Sequence, residues 1–137
     1  MSLIQPPTPV EALPVELLFR FEALAGPSRL VPGAPYGARG VLGVTGGAFE
    51  GPRLRGAVVG GVGGEFATVR ENGTMKADVR LLLETADGAR IVMSYTGIAA
   101  PSDGGNLEIR TAPLFETGDE RYAWLNDVQA IAIGGAV

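Results

Sequence analysis

The chain has 137 residues, a formal net charge of −4, and neither cysteine nor histidine. Lack of cysteine removes disulfides, thiolate catalysis and cysteine zinc sites, and lack of histidine removes the usual general base, metal ligand and serine-triad base. The length suits one domain, and 46% hydrophobic with 19% charged residues fits neither a disordered chain nor a membrane span.

The first fourteen residues carry Pro6, Pro7, Pro9 and Pro14, which prevents a regular helix and predicts an extended arm ahead of one domain over 15–137. No basic start followed by an apolar run is visible there, so a cytoplasmic protein is expected. In "VELLFRFEALAG", Val15, Leu17, Phe19 and Phe21 alternate with charged residues at the period of a strand. "YGARGVLGVTGG" and "LRGAVVGGV" are short, valine-rich and bounded by glycine and proline, again strand and turn punctuation.

The glycine-rich "GVTGGAFEGPRLRGAVVGGVGGEF" raises the question of a nucleotide loop. Its G-x-G, Gly61 to Gly63, is followed by Phe66 where a dinucleotide fingerprint needs glycine, and the sole lysine, Lys76, follows Met75 rather than glycine. Both phosphate-binding patterns fail. The glycines are then either bends and turns of strands or space left for a ligand.

"TMKADVRLLLETADGARIVMSYTG" is two apolar runs joined by Asp-Gly, a strong hairpin signal. Ala77, Val79, Leu81 and Leu83 share one face and Asp78, Arg80, Leu82 and Glu84 the other. "LEIRTAP" reads as a further strand and "YAWLNDVQAIAIGG" as a closing one. About eight strands with short links predict an all-β domain, an antiparallel up-and-down barrel whose closure removes exposed edges.

The succession "LRGAVVGGVGGEF", "ADVRLLLETADGARIVMSYTG" and "IRTAPLFETGDERYAWLN" resembles domain-of-unknown-function family 3237, small bacterial and fungal proteins, over residues 16–135. The most specific pieces are "TADGARI" and "RTAPLFETGDERYAWLN". The resemblance implies a barrel similar to allene oxide cyclases and dirigent proteins. Those relatives shape or cyclise small apolar molecules, usually without metal or organic cofactor and usually as oligomers. It therefore implies no cofactor, no metal and a homodimer or homotrimer. Many relatives carry Gly-Gly-Asp-Trp where this chain has Gly63, Gly64, Glu65 and Phe66, so a role for that acid transfers with a longer side chain.

Without histidine or cysteine, proton transfer falls to carboxylates and tyrosines, with arginine or asparagine holding an oxyanion. Asp78 is a candidate acid or base, with Arg80 two residues on; the pair is either a surface ion pair or, if that face is inside, a carboxylate in an apolar cavity. Glu65 is the second acid, or a solvated turn residue, and Tyr95 a candidate proton donor, or core. Arg110 is either a carbonyl clamp or the partner of Glu116. Tyr122, Trp124 and Asn126, read as one face of the last strand, suit a pocket, a core or a subunit interface.

Two functions from different classes follow. One is a cofactor-independent isomerase, cyclase or hydratase acting on a small apolar carbonyl- or hydroxyl-bearing molecule. The other is a noncatalytic barrel that binds such a ligand, and a purely structural domain is a third. Neither nucleic acid nor membrane is expected as a partner.

Overall fold

Short apolar runs cut by glycine, proline and asparagine turns give strands and almost no helix. The computed structural model describes residues 12–136. Its strands are Arg20–Ala25 (β1), Arg29–Val31 (β2), Ala38–Glu50 (β3), Arg55–Val58 (β4), Gly64–Val69 (β5), Met75–Thr85 (β6), Arg90–Pro101 (β7), Leu107–Thr111 (β8), Leu114–Glu116 (β9) and Ala132–Ala136 (β10). Most of the proposed arm lies outside the described residues.

All strand pairs are antiparallel, and the sheet runs β1-β3-β4-β6-β7-β8-β10, with β2 on β3, β5 bridging β3 and β6, and β9 on β7. The predicted hairpin is β6–β7, in register from Met75 opposite Ala99 to Glu84 opposite Arg90, with Gly88 at φ 93° in its turn. The excess over eight strands comes from β3. It is long enough to carry β1 and β2 along one edge and β4 and β5 along the other.

That strand bends where the register with β1 shifts: Leu24 lies opposite Gly46 and Ala25 opposite Val44, so Thr45 has no partner, one residue beyond the pair Gly46 and Gly47. Gly47 sits at φ 144°, and a β-carbon there would collide with the carbonyl oxygen of Glu22, so both conformation and space require glycine.

The sheet curls into a β-barrel. Among the described residues no ladder joins β10 back to β1 or β2, so the closure expected from the sequence is not a complete hydrogen-bonded ring. Aromatic rings bridge the seam instead: Phe19 lies edge-on to Phe115 with centroids 5.9 Å apart, and Phe21 lies against Tyr95 at 6.2 Å.

The inward face of β6 is the apolar one, Ala77, Val79, Leu81 and Leu83. At the end of the barrel near the β6–β7 turn, Phe49, Leu54, Val58, Leu83, Ile91, Met93, Phe115 and Leu125 fill the interior. Burying each large side chain there is worth about 1.5–3 kcal/mol. At the other end several inward positions are short, Gly40, Ala67, Ala77, Gly97 and Ala99, alongside the larger Met75 and Ile109.

One expected element is absent. Residues 122–127, expected as the start of the closing strand, instead belong to a 3-10 helix, Glu120–Asp127, and of that stretch only Ala132–Ala136 is a strand, the last of the sheet. The Asp119 carboxylate accepts a hydrogen bond from the Arg121 backbone N–H and caps the helix, which diverts the chain from an extended course.

Candidate functional site

Strand register decides which polar residues face inward. Leu42 pairs with Glu65, Glu65 with Val79, and Val79 with Tyr95, so these four form one inward row across β3, β5, β6 and β7. Glu65 and Tyr95 therefore face inward on either side of Val79, near the boundary between the filled end and the opposite end of the barrel. Both are partly buried, and neither takes part in an ion pair among the described residues.

Their acidities shift accordingly. Burial holds the Glu65 carboxyl above its ordinary value of 4.5, and the negative charge of Asp78 pushes it further the same way. Burial, with the charge of Glu65 behind it, pushes the Tyr95 phenol up to about 12. Glu65 can thus carry a proton at a higher pH than a free carboxyl, while Tyr95 remains a phenol and acts as a hydrogen-bond donor.

Asp78 and Arg80 lie on the opposite, outer face of β6 and are exposed, so Asp78 is not a carboxylate buried in the barrel. The polarity of the strand explains this, since its apolar residues alone cover the interior. The two do not form an ion pair; instead both open on a cleft of about 980 Å³ on the outer face. Next to them the β5–β6 ladder is interrupted at Phe66 and Ala67, between the Glu65–Val79 and Thr68–Lys76 pairs. The guanidinium of Arg39 donates to the carbonyl oxygens of both residues, Nη2 to Phe66 at 2.9 Å and Nε to Ala67 at 3.2 Å.

Arg110 also faces outward, and its ion pair is with Glu108 on its own strand rather than with Glu116. Arg110 sits opposite Ile98 and Ile133, on the other face of the sheet from the inward row.

Tyr122, Trp124 and Asn126 do not share a strand face, because the 3-10 helix spreads them around its axis. The Tyr122 hydroxyl donates to Asp87 Oδ2 at 2.8 Å, Trp124 stacks beneath the Arg53 guanidinium at 3.7 Å, and Asn126 exchanges two hydrogen bonds with the backbone of Thr117. They sit at the β6–β7 turn, six residues along β6 from Val79, which is about 20 Å. The structure therefore places Glu65 and Tyr95 in one inward row with Val79 between them and Asp78 and Arg80 on the opposite face, and separates Arg110, Tyr122, Trp124 and Asn126 from that row. Arg39 and Arg29, which also line the outer cleft, carried no sequence signal; only the register of β2, β3 and β5 brings them to it.

The family model described as "protein of unknown function (DUF3237)" matches residues 13–137. The chain belongs to that family. The hydroalkoxylation enzyme phnH of Penicillium herquei is 33% identical over 124 residues, which cover 90% of this chain and 74% of that protein. Two solved structures share the architecture. A beta-barrel like protein from Acinetobacter baumannii superposes with a TM-score of 0.72 at 28% identity over 89% of this chain and 88% of that one. An enzyme from Penicillium herquei does so with a TM-score of 0.68 at 32% identity over 89% and 86%. As a member of this family the chain has relatives that are enzymes and relatives with no assigned activity. Among the described residues no helix is long and apolar enough to cross a membrane, and no group of three or more acidic residues could hold a metal ion.

Proposed function

We propose that the chain is a cofactor-independent enzyme that adds a hydroxyl group across a carbon–carbon double bond within one small, largely apolar molecule, closing a cyclic ether. The observation that carries this reading is the inward Glu65, partly buried with its acidity weakened, beside the Tyr95 phenol. The similarity to a hydroalkoxylation enzyme over most of the chain supports the reaction class.

The chemistry balances on one carboxyl group. Protonated Glu65 gives its proton to one alkene carbon, and the substrate oxygen bonds to the other, more substituted carbon. The hydroxyl proton then returns to the Glu65 carboxylate, leaving an isomer of the starting molecule and an unchanged enzyme. The Tyr95 hydroxyl orients the substrate oxygen by hydrogen bonding, and the short inward side chains at Gly40, Ala67, Ala77, Gly97 and Ala99 leave room for the apolar body. Asp78 acts on the reaction through Glu65, since its charge helps keep the carboxyl protonated.

The test is incubation with phenols that carry an alkenyl side chain. A product of unchanged mass, gaining one carbon-bound deuterium in deuterium oxide, is expected. Binding of these phenols without conversion would replace the enzyme with a carrier.

A further inference from the structure

The outer cleft is a second site, chemically unlike the first. Its floor is the outward face of β3, β5 and β6, with Arg29, Arg39 and Arg80 on its walls and Asp78 as the one carboxylate lining it among the described residues. The register puts these groups on a single face: Arg29 opposite Val41, Arg39 opposite Thr68, and Arg80 opposite Gly64. A chain of net charge −4 thus concentrates three guanidinium groups against one acid in one concavity. Arg29, Arg39 and Arg80 take part in none of the ion pairs among the described residues.

The cleft also offers an apolar surface. Phe66 projects into it, 57% exposed, beside Val41. Arg39 braces the backbone that carries the ring by donating to the Phe66 and Ala67 carbonyl groups. Gly43 keeps the floor open: its backbone conformation is ordinary, and a β-carbon added there would meet nothing within 4 Å. Within the glycine-rich stretch Gly43 borders open space on the outside of the barrel, whereas Gly47, Gly56, Gly60 and Gly64 are packed against backbone.

We propose that this cleft binds a small aryl carboxylate, its ring against Phe66 and Val41 and its carboxylate between Arg29 and Arg80. A planar guanidinium matches a carboxylate with two parallel hydrogen bonds, which a neutral amide of the same shape does not reproduce. Phe66 and Val41 add apolar surface that an aryl group covers and phosphate does not, so an aryl carboxylate suits the site better than phosphate. The cleft lies on the other face of the strands that carry the Glu65–Tyr95 row, and Asp78 is the group whose charge reaches both.

The experiment is calorimetric titration of the full chain with phenylacetate, phenylacetamide and inorganic phosphate, repeated on Gly43→Leu, on the Arg29→Ala/Arg80→Ala double variant and on Glu65→Gln. Phenylacetate is expected to bind with an affinity that falls with salt, and the amide and phosphate to bind at least about tenfold more weakly, a difference of ~1.4 kcal/mol. Gly43→Leu, which fills open space without straining the backbone, should abolish binding at unchanged Tm, the double arginine variant should weaken it at least about tenfold, and Glu65→Gln should keep it. Equal affinity for the amide or for phosphate, undiminished binding by a folded Gly43→Leu or double variant, or no binding of phenylacetate by the wild type would each overturn the proposal. Retention of binding by Glu65→Gln separates this site from the catalytic reading.

Discussion

The Tyr122 hydroxyl donates a hydrogen bond to Asp87 Oδ2 at 2.8 Å, joining the two most distinctive segments of the sequence, "TADGARI" and "GDERYAWLN". The same carboxylate accepts from Thr85 Oγ1 and lies 3.3 Å from the Arg121 guanidinium, which Asp119 holds in turn. This network fixes the β6–β7 turn to the 3-10 helix. Tyr122→Phe should lower Tm by about 2–5 °C, the loss of one hydrogen bond in a domain of this size, with no change in turnover. Thermal unfolding followed by circular dichroism measures it.

Acid should loosen the same network. The hydrogen bonds from Thr85 and Tyr122 hold Asp87 below its ordinary value of 3.8, and those from Arg121 do the same for Asp119. A carboxylate with a lowered folded value contributes stability at pH above the ordinary value and loses it as pH falls through the lowered one. Tm should therefore drop below about pH 3.8, and the drop should be smaller in Asp87→Asn, which begins from a lower neutral Tm. A pH series of melting curves on both proteins tests this.

Glu65 carries the opposite sign. Its folded value lies above 4.5, so the protonated form is favoured by folding, and stability is lost as pH rises from 4.5 through the raised value. Glu65→Gln stays neutral throughout. Its Tm should equal that of the wild type or nearly so below pH 4.5 and exceed it at neutral pH, as expected where function is bought with stability. Wild type and variant with parallel Tm profiles across this range would show that burial does not act on the carboxyl.

The two kinds of glycine should separate in a paired substitution. Gly47→Ala meets both a left-handed backbone and the Glu22 carbonyl and should cost roughly 1–3 kcal/mol or more. Gly43→Ala meets neither and should stay within about 0.5 kcal/mol of the wild type in denaturant unfolding.

Much of the barrel can be read from residue order alone. Asp87-Gly88 between two alternating apolar runs specifies the β6–β7 hairpin, and the alternation of Ala77, Val79, Leu81 and Leu83 against Asp78, Arg80 and Glu84 specifies which face is buried. Glu65 and Tyr95 were both legible as candidates, but their place in one inward row was not, because it depends on the register of two strand pairs through Val79. Tyr122, Trp124 and Asn126 mimic a strand, since alternate aromatic and polar residues fit a period of two. The competing signal, Asp119 as a helix cap followed by Glu120 in the first turn, was present and won. Arg29 and Arg39 stand far apart in sequence from Arg80, and no local pattern announces a cleft assembled from three strands.

The central claim is that the Glu65 carboxyl delivers the proton that reaches carbon. Deuterium incorporation from deuterium oxide into the cyclic ether formed from an alkenyl phenol, compared between wild type, Tyr95→Phe and Glu65→Gln, tests it most directly. The account predicts one carbon-bound deuterium per turnover in the wild type, slower but equally labelled turnover in Tyr95→Phe, and loss of turnover by a factor of about 10²–10⁴ in Glu65→Gln that remains folded. Turnover and labelling in folded Glu65→Gln at the wild-type rate would contradict it.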